Sequence, residues 1–163
     1  SDSALTGPVI LFILAAAFLE EVAFRGLILH GFVRAWGNIR RGLIQSILVS
    51  SLLFSSIHLL DFLSGRPLLD VLLQSLQAFF LGIFLAVLVL RSKSIYPATF
   101  FHVIWNLAGY LSFGSKGIEP APSTWLLLSL VMLPIAVLGM YQLRDWRPDG
   151  PSVPSTVEYR RLV

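Results

Sequence analysis

The chain has 163 residues, 56% of them hydrophobic and only 13% charged, with a mean hydropathy of +0.80. A soluble domain this small has too little interior to hide so much apolar surface, and the absence of cysteine excludes a disulfide framework, a thiolate nucleophile and thiolate metal ligands. The net charge of +3 would suit an anionic partner such as nucleic acid, but the basic residues are distributed as in the loops of a membrane protein.

Apolar stretches at roughly 9–33, 43–60, 69–90, 95–113 and 125–143 each approach the ~20 residues that a helix needs to cross a bilayer. In lipid only helices and closed barrels satisfy their own backbone, and these stretches lack the polar–apolar alternation of barrel strands. The predicted fold is therefore all-α, a polytopic transmembrane helical bundle of about five spans within residues 1–143. A polar, proline-rich segment over 144–163 is expected to be a flexible cytoplasmic tail.

The first stretch begins as "VILFILAAAF" and then turns to "FLEEVAFRG". It is no secretory signal, because it lacks a basic start and runs past the length of such a core. Each charge at the centre of a membrane helix costs about 2.5–3.5 kcal/mol, so Glu20, Glu21 and Arg25 need compensation or a task. Glu21 and Arg25 stand four apart, acid before base, the favourable order for an ion pair on one helical face. Glu20 lies ~100° round the helix and has no such partner, which makes it the candidate functional carboxylate. His30, beside Arg34, reads as interfacial.

Gly37-Asn38 marks a joint before the second stretch, on which Ser51, Ser55 and His58 form a polar stripe. Asp61 is placed to accept a proton from the far ring nitrogen of His58. Ser64-Gly65-Arg66-Pro67 marks the next turn, and Gly82 with Ala86 forms a small-residue pair suited to close helix approach on the third stretch. On the fourth, which opens at Pro97, Thr99, His102 and Asn106 share one face. Gly114 through Pro122 forms a connection to the fifth, which Pro134 is expected to kink without ending. Straight-helix counting puts His58 near the outer end of its span and His102 nearer the inner, so at least one helix must be tilted, offset or longer than drawn.

Arg34, Arg40 and Arg41 follow the first stretch, Arg91 and Lys93 the third, and Arg144, Arg147, Arg160 and Arg161 the fifth. The opposite loops hold only Arg66 and Lys116 among Asp61, Asp70 and Glu119. This alternation puts the former ends, and the C-terminus, in the cytoplasm of what is expected to be a bacterial or archaeal cell.

In order, "EEVAFR" at 20–25, "FSSIH" at 54–58 and "HVIWN" at 102–106 resemble the three motifs of the CPBP intramembrane proteases, the CAAX-protease and bacteriocin-processing family also called Abi. Those motifs, Glu-Glu-x-x-x-Arg, Phe-x-x-x-His and His-x-x-x-Asn or Asp, fall on successive core helices. The resemblance covers roughly 20–106 and implies an intramembrane endopeptidase. Family members usually carry more helices ahead of the first motif, so the chain is expected to be the C-terminal catalytic core of a longer membrane protein. By resemblance, Glu20 activates water, His58 helps hold it, His102 and Asn106 donate to the oxyanion, and Glu21 with Arg25 keeps the first helix in register. No cofactor is then needed.

A zinc-dependent alternative would use Glu20, His58 and His102 as ligands with an open fourth position. The H-E-x-x-H motif is missing and Asn106 is a poor zinc ligand, which favours the metal-independent reading. Two other classes stay open: a proton-coupled transporter, whose paired repeats are not found here, and a non-catalytic scaffold or immunity protein. Expected partners are the lipid bilayer and a membrane-associated peptide or protein substrate, cut near the cytoplasmic half of the bilayer, with no role for nucleic acid.

Overall fold

The computed structural model describes residues 5–145, and within them it is all-helical with no strand. The predicted tail falls outside the described residues from 146 onward. Every apolar stretch is helical. Helix α1 (Gly7–Glu21) runs without a break through a π-helical segment, Val22–Leu29, into α2 (His30–Trp36). Helix α3 (Arg40–Ser56) tightens into a 3-10 segment, Ile57–Ser64. Helices α4 (Leu68–Ser92), α5 (Tyr96–Ser112) and α6 (Pro122–Gln142) follow.

Four rods, Gly7–Trp36, Arg40–Ser64, α4 and α6, are long and apolar enough to cross a membrane. Helix α5 has 17 residues and spans about 25 Å at 1.5 Å per residue, short of the ~30 Å hydrocarbon core. The first two rods outrun their apolar stretches, because Arg34, Trp36, Arg40 and Arg41 extend the helices into the interface.

Several joints are as expected. Pro97 and Pro122 open their helices, where the missing N–H has no intrahelical partner to lose. Gly65 takes φ +87°, a left-handed conformation that glycine adopts without a Cβ clash, and ends the 3-10 segment. Pro134 lies inside α6 without ending it.

Helix α4 is the centre of the bundle, packed against α3, α5 and α6, while α1 packs on α5. Half of its apolar stretch is buried, against 22% for the first and last rods, so those two present most of their side chains to lipid. Phe12, Leu19, Leu27, Leu127 and Leu138 are among the exposed apolar residues, as a lipid-facing surface requires. Dry packing concentrates toward the ends that carry the basic loops, where Leu29, Leu43, Ile47, Val87, Leu90 and Ala136 interlock. Gly82 brings α3 and α4 together: a Cβ there would lie 3.1 Å from the Ser51 Cβ. Toward the other end of the bundle the helices part around a cavity.

Candidate active site

Glu20 and Glu21 close α1 just ahead of the π segment, and being adjacent on a helix they face different ways. Glu21 is fully enclosed. Its Oε1 accepts from Arg25 Nη1 at 2.9 Å, the pair that the spacing predicts, and also from His102 Nδ1 at 2.9 Å. A carboxylate oxygen only accepts, so the His102 proton on this side belongs to Nδ1. Arg25 is as buried as its partner; its second nitrogen reaches the Gly82 carbonyl at 3.5 Å and its guanidinium lies 4.1 Å from the Phe54 ring centre. The charge is thus covered on one side by a carboxylate and on another by a π face.

Glu20 takes the opposite course. Its side chain is 37% exposed and opens onto the cavity, with Oε2 3.6 Å from His102 Nε2. That distance is too long for a hydrogen bond but short for a charge contact in a low-dielectric setting. His102, itself buried, therefore stands between two carboxylates. As a neutral ring it offers Nε2 as a lone pair, and it donates there only as the imidazolium.

The cavity has a volume of about 460 Å³, and Glu20, His58, His102 and Asn106 all line it. Asn106 is one turn beyond His102 on α5 and on the same face. Gln77 Nε2 and Trp125 Nε1, two more lining groups, are buried donors with no acceptor among the described residues. The set is rich in N–H donors around the Glu20 carboxylate, with a second carboxylate, Glu119, paired to Arg66 at the rim, an arrangement suited to holding carbonyl oxygens.

His58 departs from expectation in its partner. Asp61 does not orient it; that carboxylate accepts from Arg66 Nη1 at 2.9 Å instead. The long, cationic Arg66 reaches back from the Gly65 turn, and a carboxylate at the end of the 3-10 segment is drawn to that charge more strongly than to a neutral ring. The His58 Nδ1 is met by Gln74 Nε2 of α4 at 3.2 Å.

Phe54, quoted above only as a motif letter, is the hub of the site. Its ring meets Phe24, His58 and His102 edge-on at centroid distances of 5.3, 5.9 and 5.7 Å, and Arg25 at its face. Gln74 and Arg66 also belong to the site, though their partners are not legible in the sequence. The sequence signal for Gln74 and Gln77 is their polarity inside an otherwise apolar span; Arg66 reads there as a turn residue and loop charge. The remaining stripe residues stay local: Thr99 and Ser55 bond carbonyls of their own helices, and Ser51 lies against Gly82. His30 is exposed and donates from Nδ1 to the Arg25 carbonyl of the π segment at 2.6 Å.

Among the described residues no group of three or more His, Asp or Glu is placed to hold a metal ion, and one ring nitrogen of His58 is occupied by Gln74.

A family model described as type II CAAX prenyl endopeptidase Rce1-like matches residues 2–108, which is 107 of the 163 residues and includes every motif segment above. No curated protein and no solved structure matches the chain.

Proposed function

Because the chain belongs to the Rce1-like type II CAAX prenyl endopeptidase family, a family of intramembrane proteases, we propose that it hydrolyses a peptide bond in a membrane-associated protein or peptide, with Glu20 as the base. One observation carries the assignment. Of two adjacent carboxylates only Glu20 opens onto the cavity, while Glu21 is enclosed by Arg25 and His102. Glu20 takes a proton from water as the water attacks the scissile carbonyl, whose carbon–nitrogen bond then breaks as the proton passes to the leaving amine. Asn106 donates to the developing oxyanion without titrating, and His58 holds the water or the carbonyl oxygen.

His102, held through Nδ1 by Glu21, stands beside Asn106 on the cavity wall and completes the oxyanion site. Phe113, Gly114, Ile118, Glu119, Pro120 and Trp125 line the outer part of the cavity, at the end of the bundle away from the 37–39 and 93–95 joints. With the basic loops in the cytoplasm the cavity then opens to the opposite side, the reverse of the cytoplasmic-half expectation. The reason is that His58 lies in the 3-10 segment near that end.

The test is cleavage of a farnesylated peptide ending in Cys-aliphatic-aliphatic-X by purified chain in proteoliposomes. Glu20→Gln should retain the melting temperature and lose nearly all cleavage, because the near-isosteric amide cannot take the proton. A strong chelator should leave the rate unchanged. Full activity of the amide variant would remove Glu20 from its role, and zinc-restorable loss with chelator would make the metal reading right.

A further inference from the structure

A chain of hydrogen bonds runs from the end of the 3-10 segment across α4 to His58, and each link has only one chemically allowed direction. Arg66 Nη1 contacts both Asp61 Oδ2, at 2.9 Å, and the side-chain oxygen of Gln74. Its Nη2 meets Glu119 Oε2 at 3.2 Å, and its guanidinium lies 6.0 Å from the Trp125 ring centre. A guanidinium has donors and no acceptor, so the Gln74 amide must turn its oxygen to Arg66 and its NH₂ to His58. An amide NH₂ only donates, so His58 Nδ1, 3.2 Å away, must be the acceptor. The neutral ring then carries its proton on Nε2.

We propose that Arg66 and Gln74 are positioning residues that lock His58 as its Nε2–H tautomer, so that this ring enters the reaction as a hydrogen-bond donor and not as a base or a metal ligand. The inference rests on the protease reading for its purpose, but not for its chemistry. Nδ1 is occupied, and Nε2 keeps a proton that metal ligation would have to displace. The 3-10 geometry contributes directly: residues three apart eclipse one another, so His58 and Asp61 stand on one face and Arg66 with Gln74 spans the gap between them. The salt bridge of Arg66 to Glu119 ties the same device to the connection ahead of α6. That connection lies beyond the family match, which ends at residue 108.

The tautomer can be read directly by ¹⁵N NMR of histidine-labelled full chain in nanodiscs above neutral pH, with His58→Gln used to assign the ring. The wild type should show a protonated Nε2 and a bare Nδ1. Gln74→Glu keeps the shape and the Arg66 contact but replaces the donor with an acceptor, so the proton should move to Nδ1. Its melting temperature should hold or rise, since Arg66 gains a formal counter-charge. Cleavage of the farnesylated peptide should fall on the order of 10² in kcat, with KM changed far less, as for loss of one oxyanion donor. Gln74→Met, which neither donates nor accepts strongly, should give a mixture of tautomers. A wild-type ring protonated on Nδ1 overturns the proposal, as does an inverted ring in Gln74→Glu with unchanged kcat. If Gln74→Glu fails to fold, a purely Nε2–H ring in Gln74→Met overturns it and a mixture upholds it. A wild type that leaves the peptide uncut counts against the protease reading alone, and the spectra still decide the relay.

Discussion

Glu21 Oε1 and His102 Nδ1 are 81 positions apart in sequence and joined by a 2.9 Å hydrogen bond at the centre of the bundle. The same oxygen holds Arg25, so one carboxylate ties α1 to α5 while neutralising a buried guanidinium. The second glutamate of the motif therefore does more than keep its own helix in register: it fixes which nitrogen of His102 faces Glu20.

Glu21→Gln should accordingly be a stability variant first. Removing one member of a fully buried ion pair leaves Arg25 without its counter-charge and costs about 3–5 kcal/mol. Thermal denaturation in detergent should show a large fall in melting temperature or a loss of folded yield. Glu20→Gln, at an open carboxylate, should show neither. Equal melting temperatures for the two variants would contradict the division of labour.

Asn106→Ala should spare folding, because the side chain lines the cavity and does not belong to a packed cluster. If its amide meets the oxyanion, kcat on the farnesylated peptide should drop by about 10²–10³. A change confined to KM would reassign Asn106 to ground-state binding.

Gly82→Val should weaken both fold and activity. A Cβ at residue 82 would already sit 3.1 Å from the Ser51 Cβ and 3.3 Å from Phe54 Cδ1, and two further methyl groups must push that ring off Arg25 and the two imidazoles. Gly139→Ala is the matched control, at a buried position of α6. Its Cβ would meet Val87 at an ordinary 3.5 Å, and it should be neutral or more stable by up to ~1 kcal/mol from helix propensity. Melting curves and turnover of both variants provide the comparison.

Membrane orientation can be checked with single cysteines, since the chain has none of its own. Asn38→Cys and Ser94→Cys, beside the basic clusters, should be shielded from an impermeant thiol reagent in intact cells. Lys116→Cys, in the connection that borders the cavity, should be labelled. The reverse pattern would place the cavity mouth in the cytoplasm.

What the sequence determined by itself was local. Apolar length gave every helix, Pro and Gly gave the joints, and the four-residue spacing of Glu21 and Arg25 gave their ion pair, because all of these follow from the period of a single helix. The polarity of Glu20, His58, His102 and Asn106 inside apolar stretches marked them as neighbours of one another or of water, and all four line one cavity. Only the tertiary structure decided the partners. His102 belongs to Glu21, His58 to Gln74, Asp61 to Arg66, and Phe54 touches all three motif segments. Two phase changes kept this hidden. The π segment after Glu21 and the 3-10 segment around His58 alter the residues per turn, so an ideal 3.6-residue wheel misplaces the side chains that follow them. Contacts between helices depend in addition on how closely backbones approach. Gly82 permits that approach at Ser51 and Phe54, where any other residue would place a Cβ in the gap.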